Sequence, residues 1–339
     1  MPCARFLASI VIAPSNDPLL DVSGLTTVFA LRGGAEAAAV SDVSFSVNRG
    51  ETLGLVGESG SGKSVTALSI IRLVQPPGRM ASGRIMFEGQ NLAAMDERAL
   101  RRVRGRRIGF VFQEPMIALN PVYTIGFQIR ETLEVHGLAR GAAAHRRAVE
   151  LLEAVRVPDP ARRANDYPHQ LSGGLRQRAM IALAICAEPS LVIADEPTTA
   201  LDVTVQAEIL DLLRDMRRQF SLALLLITHD LGVVAEMTDR VAVMYGGRIV
   251  EQAATPALFA APGHPYTQGL LACLPERSEG GRLTAIPGSV PPLGQWPTGC
   301  AFAPRCNYRE SRCEAAVPPL HDRGEAHGVR CVRTSGNPQ

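Results

Sequence analysis

No apolar run in the chain approaches the ~18 residues that a membrane-spanning helix needs. The longest candidate near the start, residues 6–13, lacks a strongly basic leader and is followed by the polar stretch Pro14, Ser15, Asn16 and Asp17. This pattern is not that of a secretory signal. We therefore expect residues 1–18 to form a flexible tail, and we expect the chain to be soluble and to stay in the cytoplasm.

A strong charge of either sign is also missing. Lys and Arg total 35 against 33 Asp and Glu, which gives a net charge of +2. Proteins that bind nucleic acid normally present a basic face, so no nucleic-acid partner is expected. The 339 residues, 46% of them hydrophobic, can bury a sizeable core. At typical domain sizes of roughly 100–200 residues they suggest about two domains.

The pattern of apolar residues changes along the chain. Apolar and polar residues often alternate over residues 19–47, which is typical of antiparallel strands. Residues 191–194 form a continuous apolar run, as expected of a central parallel strand buried on both faces. Residues 241–245 and 247–250 predict a closing hairpin. After residue 256 proline and glycine become frequent and periodicity fades, so we predict a domain boundary near residue 255.

One glycine-rich segment fits the phosphate-binding pattern G-x-x-x-x-G-K-[ST]. It follows a predicted strand and opens a predicted helix, which is the context that the pattern requires. Backbone N–H groups of such a loop point at phosphate oxygens, its lysine reaches the β- and γ-phosphates, and its hydroxyl binds Mg²⁺. The predicted ATP-binding residues are Gly57, Glu58, Ser59, Gly60, Ser61, Gly62, Lys63 and Ser64.

Two adjacent acids, Asp195 and Glu196, follow the buried run at residues 191–194. Such a pair is costly at a strand end unless it handles a cation or a proton. Asp195 suits the Mg²⁺ shell, and Glu196 suits a general base that polarises the attacking water. His229 ends the next apolar strand, and the carboxyl ends of parallel strands converge, so contact with the γ-phosphate is expected.

With these motifs the chain resembles the ABC transporter ATPases. Leu171, Ser172, Gly173 and Gly174 look like the start of the family's LSGGQ-type signature, although position 175 is Leu where many members have Gln. The resemblance implies that Ser172, Gly173 and Gly174 complete the ATP site of an opposite subunit. It also implies a Q-loop glutamine, Gln113, that contacts Mg²⁺ or water, and a D-loop residue, Asp202, at the dimer interface. Phe29 is the candidate for the aromatic residue that stacks on adenine, and an ordinary core phenylalanine is the alternative.

Other motifs resemble those of the dipeptide and oligopeptide importers' ATPases. They are Gln113-Glu114-Pro115-Met116, the run from His264 to Leu271, and the tail from Gly299 to Cys306. The resemblance implies an α/β fold with a RecA-like parallel-sheet core, an antiparallel β subdomain and a helical signature subdomain at about 115–180. The ATPase domain would span 19–255, and an irregular cysteine-bearing domain would span 256–339.

The resemblance also implies partners and a place in the cell. We expect a second ABC ATPase subunit, identical or paralogous, membrane permease subunits and, indirectly, a solute-binding protein. The chain would lie peripherally on the cytoplasmic face of the inner membrane and use ATP and Mg²⁺ to drive import of peptides. Nickel and glutathione, which other family members carry, are the alternative solutes.

Four of the seven cysteines crowd into the C-terminal part: Cys300, Cys306, Cys313 and Cys331. In a cytoplasmic chain such a group indicates a metal before disulfides. The spacings C-x5-C, C-x6-C and C-x17-C lack the tight pairs of structural zinc sites. Because some of the importers that the tail resembles carry one, we expect a [4Fe–4S] cluster. Zinc, with help from His321 or His327, and free thiols are the alternatives.

Three other functions compete with transport. A soluble ABC ATPase of DNA repair or translation usually carries two cassettes or long insertions, whereas no internal repeat is visible here. A non-hydrolysing ATP-binding regulator could lose its base, but Glu196 and His229 are both present. A redox enzyme that uses the cysteines would need a flavin or nicotinamide motif, and the only such glycine-rich loop is the one assigned to ATP.

Overall fold

The structure is a computed structural model that describes residues 18–31, 33–274 and 285–334. The predicted flexible tail, residues 1–18, lies outside the described residues except for Pro18. Among the described residues, no helix has the length and the apolar character needed to cross a bilayer.

The described elements are numbered in chain order. The strands are β1 (Leu20–Ala30), β2 (Glu36–Val47), β3 (Thr52–Val56), β4 (Gly78–Phe87), β5 (Gln90–Asn91), β6 (Ile108–Val111), β7 (Leu191–Asp195), β8 (Ala223–Thr228), β9 (Arg240–Tyr245), β10 (Arg248–Ala254), β11 (His321–Asp322) and β12 (Gly328–Val329). The helices are α1 (Lys63–Ile70), α2 (Glu97–Val103), α3 (Pro115–Ala118), α4 (Ile125–Val135), α5 (Gly141–Ala154), α6 (Pro160–Arg163), α7 (Gly173–Ile185), α8 (Val203–Phe220), α9 (Leu231–Met237), α10 (Thr255–Ala260), α11 (Pro265–Ala272) and α12 (Arg312–Ala315). Short 3-10 turns lie at Leu92–Ala94, Pro168–Gln170, Ala303–Arg305 and Val332–Thr334.

An eight-stranded sheet with the order β11-β12-β10-β9-β3-β8-β7-β6 forms the centre of the fold. Its strands β9, β3, β8, β7 and β6 are parallel. Every residue of β3, β7 and β8 is buried. Helices α7 and α8 pack on one face of β7 and β8, and α1 with the antiparallel strands packs on the other. β9 and β10 form an antiparallel hairpin, which confirms the predicted closing hairpin.

A separate antiparallel sheet with the order β2-β1-β4-β5 packs against the first. Its buried side chains, such as Leu20 and Val43, share one hydrophobic cluster with Leu53 and Leu55 of β3 and with Ile70 of α1. Each fully buried side chain of this kind stabilises the fold by ~1.5–3 kcal/mol. The cluster therefore fixes the β1–β2 hairpin beside the loop that joins β3 to α1.

Helices fill the chain between β6 and β7. α4 begins after Thr124, whose Oγ accepts a hydrogen bond from the Phe127 amide at 3.3 Å and caps the first turn. Buried residues at helical spacing, Ile129 and Leu133, pack into a cluster that also holds Leu151 of α5. The fold is thus the predicted α/β architecture with a helical part, and the exact limits of 115–180 stay a prediction.

The chain on either side of residue 255 shares one hydrophobic cluster. Tyr245 and Val250 of the β9–β10 hairpin pack with Leu258, Tyr266 and Phe302 from beyond the predicted boundary. The ring centroids of Tyr245 and Tyr266 lie 4.6 Å apart. β12 also pairs with β10 and so extends the central sheet. The division at residue 255 stays a prediction, and the C-terminal part is packed against the hairpin that ends the ATPase part.

Candidate nucleotide site

A cleft of about 670 Å³ opens where β3, β6, β7 and β8 end. The carboxyl ends of parallel strands are the usual ligand-binding edge of such a sheet. The structure brings together here residues that lie far apart in the sequence. Eleven of the predicted site residues line the cleft: Phe29, Gly57, Glu58, Ser59, Gly60, Gly62, Lys63, Ser64, Gln113, Glu196 and His229.

The glycine-rich loop joins β3 to α1, as predicted. Lys63 is 4% exposed, and its Nζ donates to the carbonyls of Gly57 at 2.8 Å and Glu58 at 3.1 Å. Burial lowers the pKa of Lys63, and neighbouring carboxylates partly offset this. At Gly62 φ is +103° and a Cβ would lie 2.6 Å from the Ala39 carbonyl oxygen, so only glycine fits.

Ser61 differs from the rest of the loop because its side chain does not line the cleft. The residue is fully buried, and its Oγ has no hydrogen-bond partner among the described residues. Its carbonyl oxygen accepts a hydrogen bond from the Gly247 amide at 3.0 Å. Ser61 therefore ties the loop to the turn between β9 and β10.

Asp195 lies behind Ser64 at the end of β7. The Ser64 hydroxyl donates to Asp195 Oδ1 at 3.0 Å. Asp195 is 5% exposed, and burial raises the pKa of its carboxyl group to about 6. A cation beside it would favour the ionised form, so the hydroxyl–carboxylate pair fits the predicted Mg²⁺ site.

The carboxylate of Glu196 is the point on which several polar groups converge. Its Oε2 accepts hydrogen bonds from Thr199 Oγ1 at 2.8 Å and from Gln113 Nε2 at 3.3 Å. His229 Nδ1 lies 3.4 Å from the same oxygen, and Lys63 Nζ lies 3.8 Å from Oε1. The backbone of Glu196 is left-handed, with φ +45°, which costs a non-glycine residue of order 1–3 kcal/mol. Strain of this kind is typical of functional sites.

The predicted signature and D-loop residues lie outside the cleft. Ser172 caps α7, and its Oγ accepts from the Leu175 amide at 3.4 Å. Asp202 likewise caps α8 and accepts from the Val205 amide at 2.9 Å. A Cβ at Gly174 would lie 2.8 Å from a methyl group of Val205, so the two helix starts are adjacent. Within one chain, Ser172, Gly173, Gly174 and Asp202 do not contribute to the lining.

Several further residues that the sequence motifs do not indicate contribute to this site. Leu270, Leu293 and Trp296, from the C-terminal part, line the cleft beside Phe29. Tyr266 and Arg305 bond Glu58, and Thr199 bonds Glu196. Tyr266, Leu270 and Arg305 lie in runs that resemble motifs of the importers, but nothing in those runs indicates that they reach the cleft or its loop. The exception is Thr199, whose position three residues after a candidate base is a usable signal.

The four C-terminal cysteines converge, but the structure does not support a cluster. Cys300, Cys306, Cys313 and Cys331 all line one cavity of about 10 Å³, which is room for one water molecule at most. Four irons and four sulfides need more space than this, so the cysteine side chains would have to move apart to hold them. Among the described residues, no group of three or more His, Cys, Asp or Glu side chains could hold a metal ion.

The zinc alternative is not supported either. His327 Nε2 lies 2.7 Å from Glu251 Oε1, a carboxylate that is fully buried, so this ring is already paired. His321 does not line the cysteine cavity. Burial raises the pKa of the Cys300 thiol to about 11, so in the absence of a metal this thiol is protonated at neutral pH.

Two family models match the chain. The model described as ABC transporter matches residues 40–199, and the model described as oligopeptide/dipeptide transporter, C-terminal region, matches residues 250–313. A putative peptide import ATP-binding protein of Brucella ovis is 53% identical over 332 residues, covering 94% of this chain and 98% of that protein. A probable peptide ABC transporter ATP-binding protein of Sinorhizobium fredii is 50% identical over 327 residues, covering 95% and 97%.

Solved structures match the fold. The dimeric, post-hydrolysis state of an ATP-binding cassette bound to ADP and Pi superposes with a TM-score of 0.63 at 28% identity, over 70% of this chain and 98% of that one. A cassette of Clostridium perfringens that is part of an ABC transporter complex has a TM-score of 0.59 at 26% identity, over 72% and 92%.

Proposed function

Since the chain belongs to the ABC transporter family of ATP-binding proteins, we propose that it binds MgATP in this cleft and hydrolyses it to drive peptide import through a separate permease. The observation that carries the proposal is the convergence at one strand edge of a phosphate-binding loop, a hydroxyl–carboxylate pair and a hydrogen-bonded glutamate. Phosphoryl transfer requires mainly positioning and charge stabilisation, and these groups provide both.

The phosphate end of ATP belongs at the loop from Gly57 to Ser64. The N-terminus of α1 adds positive potential there. Lys63 now donates to two carbonyls of its own loop, and these bonds are exchanged for β- and γ-phosphate oxygens when ATP binds. Both partners of an ammonium–phosphate bond are charged, whereas only the donor is charged in an ammonium–carbonyl bond, so the exchange favours the nucleotide.

Ser64 and Asp195 would hold Mg²⁺, which when bound neutralises charge on the β- and γ-phosphates. The hydroxyl and the carboxylate are already within 3.0 Å of each other, so little rearrangement is required. Gln113 would contact this Mg²⁺ or the attacking water, since its side chain already bonds Glu196 beside the Mg²⁺ site.

Glu196 is the group that orients the attacking water and takes its proton. Gln113, Thr199 and His229 all approach one carboxylate oxygen, Oε2, which fixes the direction of the side chain. The other oxygen, Oε1, faces Lys63 at the phosphate end of the cleft. A positioned base of this type typically contributes 10²–10⁴-fold to the rate.

Two such chains, or this chain and a paralogue, would close head to tail around two ATP molecules. Ser172, Gly173 and Gly174 lie at the start of α7, outside their own cleft, where they are available to a partner's nucleotide. Closure would pull on the permease, and a solute-binding protein would deliver the peptide on the other side. The relatives named as peptide import proteins support this assignment. The same arrangement puts the chain on the cytoplasmic face of the inner membrane.

The test is Glu196→Gln in the transporter assembled with its permease. The variant should bind ATP normally and accumulate a closed, ATP-loaded dimer, and phosphate release should fall by about 10²–10⁴-fold. Peptide uptake into proteoliposomes should fall with it. Asp215→Asn, which removes an exposed carboxylate of α8 that does not line the cleft, is the matched control and should leave both rates unchanged. Wild-type turnover by Glu196→Gln would refute the assignment of the base.

No step of this reaction runs through the four C-terminal cysteines. The predicted [4Fe–4S] cluster rests on their number and on the cavity that they share, and the cavity would have to open to hold it. Anaerobic purification followed by iron, sulfide and zinc assays decides the matter. About four irons and four sulfides per chain would establish the cluster, and zinc without sulfide would overturn it.

A further inference from the structure

We propose that the C-terminal loop of residues 291–296 supplies part of the nucleotide-base site, with Trp296 as the side chain that contacts the base. The inference rests on the proposed function, because it assumes that the cleft takes ATP. The lining of the cleft has two chemically different parts. Lys63 and Ser64 are polar, whereas Phe29, Leu293 and Trp296 are apolar. A purine against the apolar residues and a triphosphate against the polar ones match this division.

Trp296 is held in place by its own loop. Its indole Nε1 donates to the Pro291 carbonyl at 3.1 Å, and the Gln295 amide donates to the Pro292 carbonyl at 3.0 Å. These bonds close residues 291–296 into a compact turn. Because the indole N–H is already satisfied, the ring offers a ligand its π face and no donor.

The indole ring of Trp296 packs against the turn between β9 and β10. A Cβ at Gly247 would lie 2.4 and 2.6 Å from two atoms of the Trp296 ring, so the ring packs directly on the glycine backbone. The amide of the same glycine donates to the Ser61 carbonyl at 3.0 Å. Trp296 therefore rests on the residue that ties down the phosphate-binding loop.

The loop also contacts the β1–β2 hairpin. At Gly294, φ is +84° and a Cβ would lie 3.0 Å from Leu31 and 3.5 Å from Ala37. Phe29, the predicted adenine-stacking residue, belongs to the same hairpin and also lines the cleft. Two aromatic side chains, 267 positions apart in the chain, thus belong to the apolar lining of one cleft.

The expected contribution follows from the kind of contact. Stacking of a base on an aromatic side chain is worth about 1–3 kcal/mol by alanine substitution, which corresponds to about 5- to 150-fold in affinity. The contact involves a π face without a hydrogen bond, so adenine and guanine nucleotides should benefit to a similar extent. A ligand that has phosphates and no base should not benefit at all.

The experiment compares two probes, a non-hydrolysable ATP analogue and inorganic tripolyphosphate, on the full chain by calorimetric titration with excess Mg²⁺. Trp296→Ala should weaken the analogue by about 5- to 150-fold and leave tripolyphosphate unchanged. Trp296→Phe should restore most of the loss. Tyr308→Ala removes an exposed aromatic of the same segment outside the cleft, and it should change neither affinity. Trp296 is the only tryptophan in the chain, so the analogue should also change its fluorescence and tripolyphosphate should not.

Two results would overturn the inference while leaving the proposed function intact. In the first, Trp296→Ala binds the analogue as tightly as wild type does. In the second, both probes weaken equally, which would mean that the ring supports the phosphate-binding loop through Gly247 and does not contact the base. If the wild-type chain binds neither probe, the proposed function itself fails, and the inference fails with it.

Discussion

Replacing Arg305 by Met should loosen the C-terminal part from the phosphate-binding loop. Arg305 is 6% exposed, and its Nη1 donates to both carboxylate oxygens of Glu58 at 3.0 Å. Its Nε donates to the Pro287 carbonyl at 2.7 Å. Truncating one partner of a buried, hydrogen-bonded charge pair costs about 2–5 kcal/mol. Glu58 is 30% exposed, and water partly replaces its lost partner, so we expect about 2–4 kcal/mol.

The assay is urea unfolding followed by circular dichroism, with Arg309→Met as the matched control. Arg309 belongs to the same segment and pairs with Glu314, but both side chains are about half exposed, so the control should cost less than ~1 kcal/mol. A double-mutant cycle with Glu58→Gln should give a coupling of about 0.5–3 kcal/mol. The reasoning is refuted if Arg305→Met and Arg309→Met destabilise the protein equally, or if the cycle shows no coupling.

Three further changes check other parts of the molecule. Lys63→Ala removes the cation from the phosphate end of the cleft and should weaken binding of an ATP analogue at least ~10-fold in a titration, and unchanged affinity would contradict its role. Ser172→Arg should leave nucleotide binding by the isolated chain unchanged and stop phosphate release by the assembled transporter, and a binding defect in the isolated chain would count against a role in the partner's site. His264 is fully buried and burial lowers its pKa to about 3, so its contribution to stability is present above pH ~6.5 and is lost as the pH falls towards 3, at about 1.4 kcal/mol per pH unit. His264→Asn keeps an acceptor for the Tyr266 amide and does not titrate. Between pH 6.5 and 4.5, the free energy of unfolding of this variant should therefore fall by about 2–3 kcal/mol less than that of wild type. An equal dependence of the unfolding free energy on pH in both proteins would refute the prediction.

The phosphate end of the site could be predicted because its residues lie close together in the chain and form a recognisable motif. At Gly62 a positive φ and the close Ala39 carbonyl require glycine, so the backbone geometry leaves a pattern that can be recognised. The acids after β7 are recognisable for a similar reason, since charged residues directly after a buried apolar run need a function. The roles of these residues in catalysis stay predictions until the variants are measured.

The C-terminal contacts could not be predicted because they join residues far apart in the chain. Arg305 meets Glu58 across 247 positions, and Tyr266 meets it across 208. Tyr266 lies in the short helix α11 and Arg305 in a 3-10 turn, and neither element is long enough for its sequence pattern to indicate which face packs on the phosphate-binding loop. The cysteine spacing indicates four donors of the right kind, but spacing carries no information about cavity volume, and the shared cavity of about 10 Å³ gives no support for the predicted cluster.

Glu58, a residue of the phosphate-binding loop, is held by two residues of the C-terminal part. Its amide donates to the hydroxyl of Tyr266 at 2.8 Å, and its carboxylate bonds Arg305. Tyr266 is fully buried, and burial raises the pKa of its hydroxyl group, so the hydroxyl stays protonated at physiological pH. The Glu58 amide is therefore bonded to the C-terminal part although it belongs to the phosphate-binding loop. A contact between this amide and a phosphate requires exchange of its bond to Tyr266, as Lys63 requires exchange of its bonds to the loop carbonyls. Glu58 thus connects the cleft to the C-terminal part, and its predicted contact with the nucleotide stays a prediction.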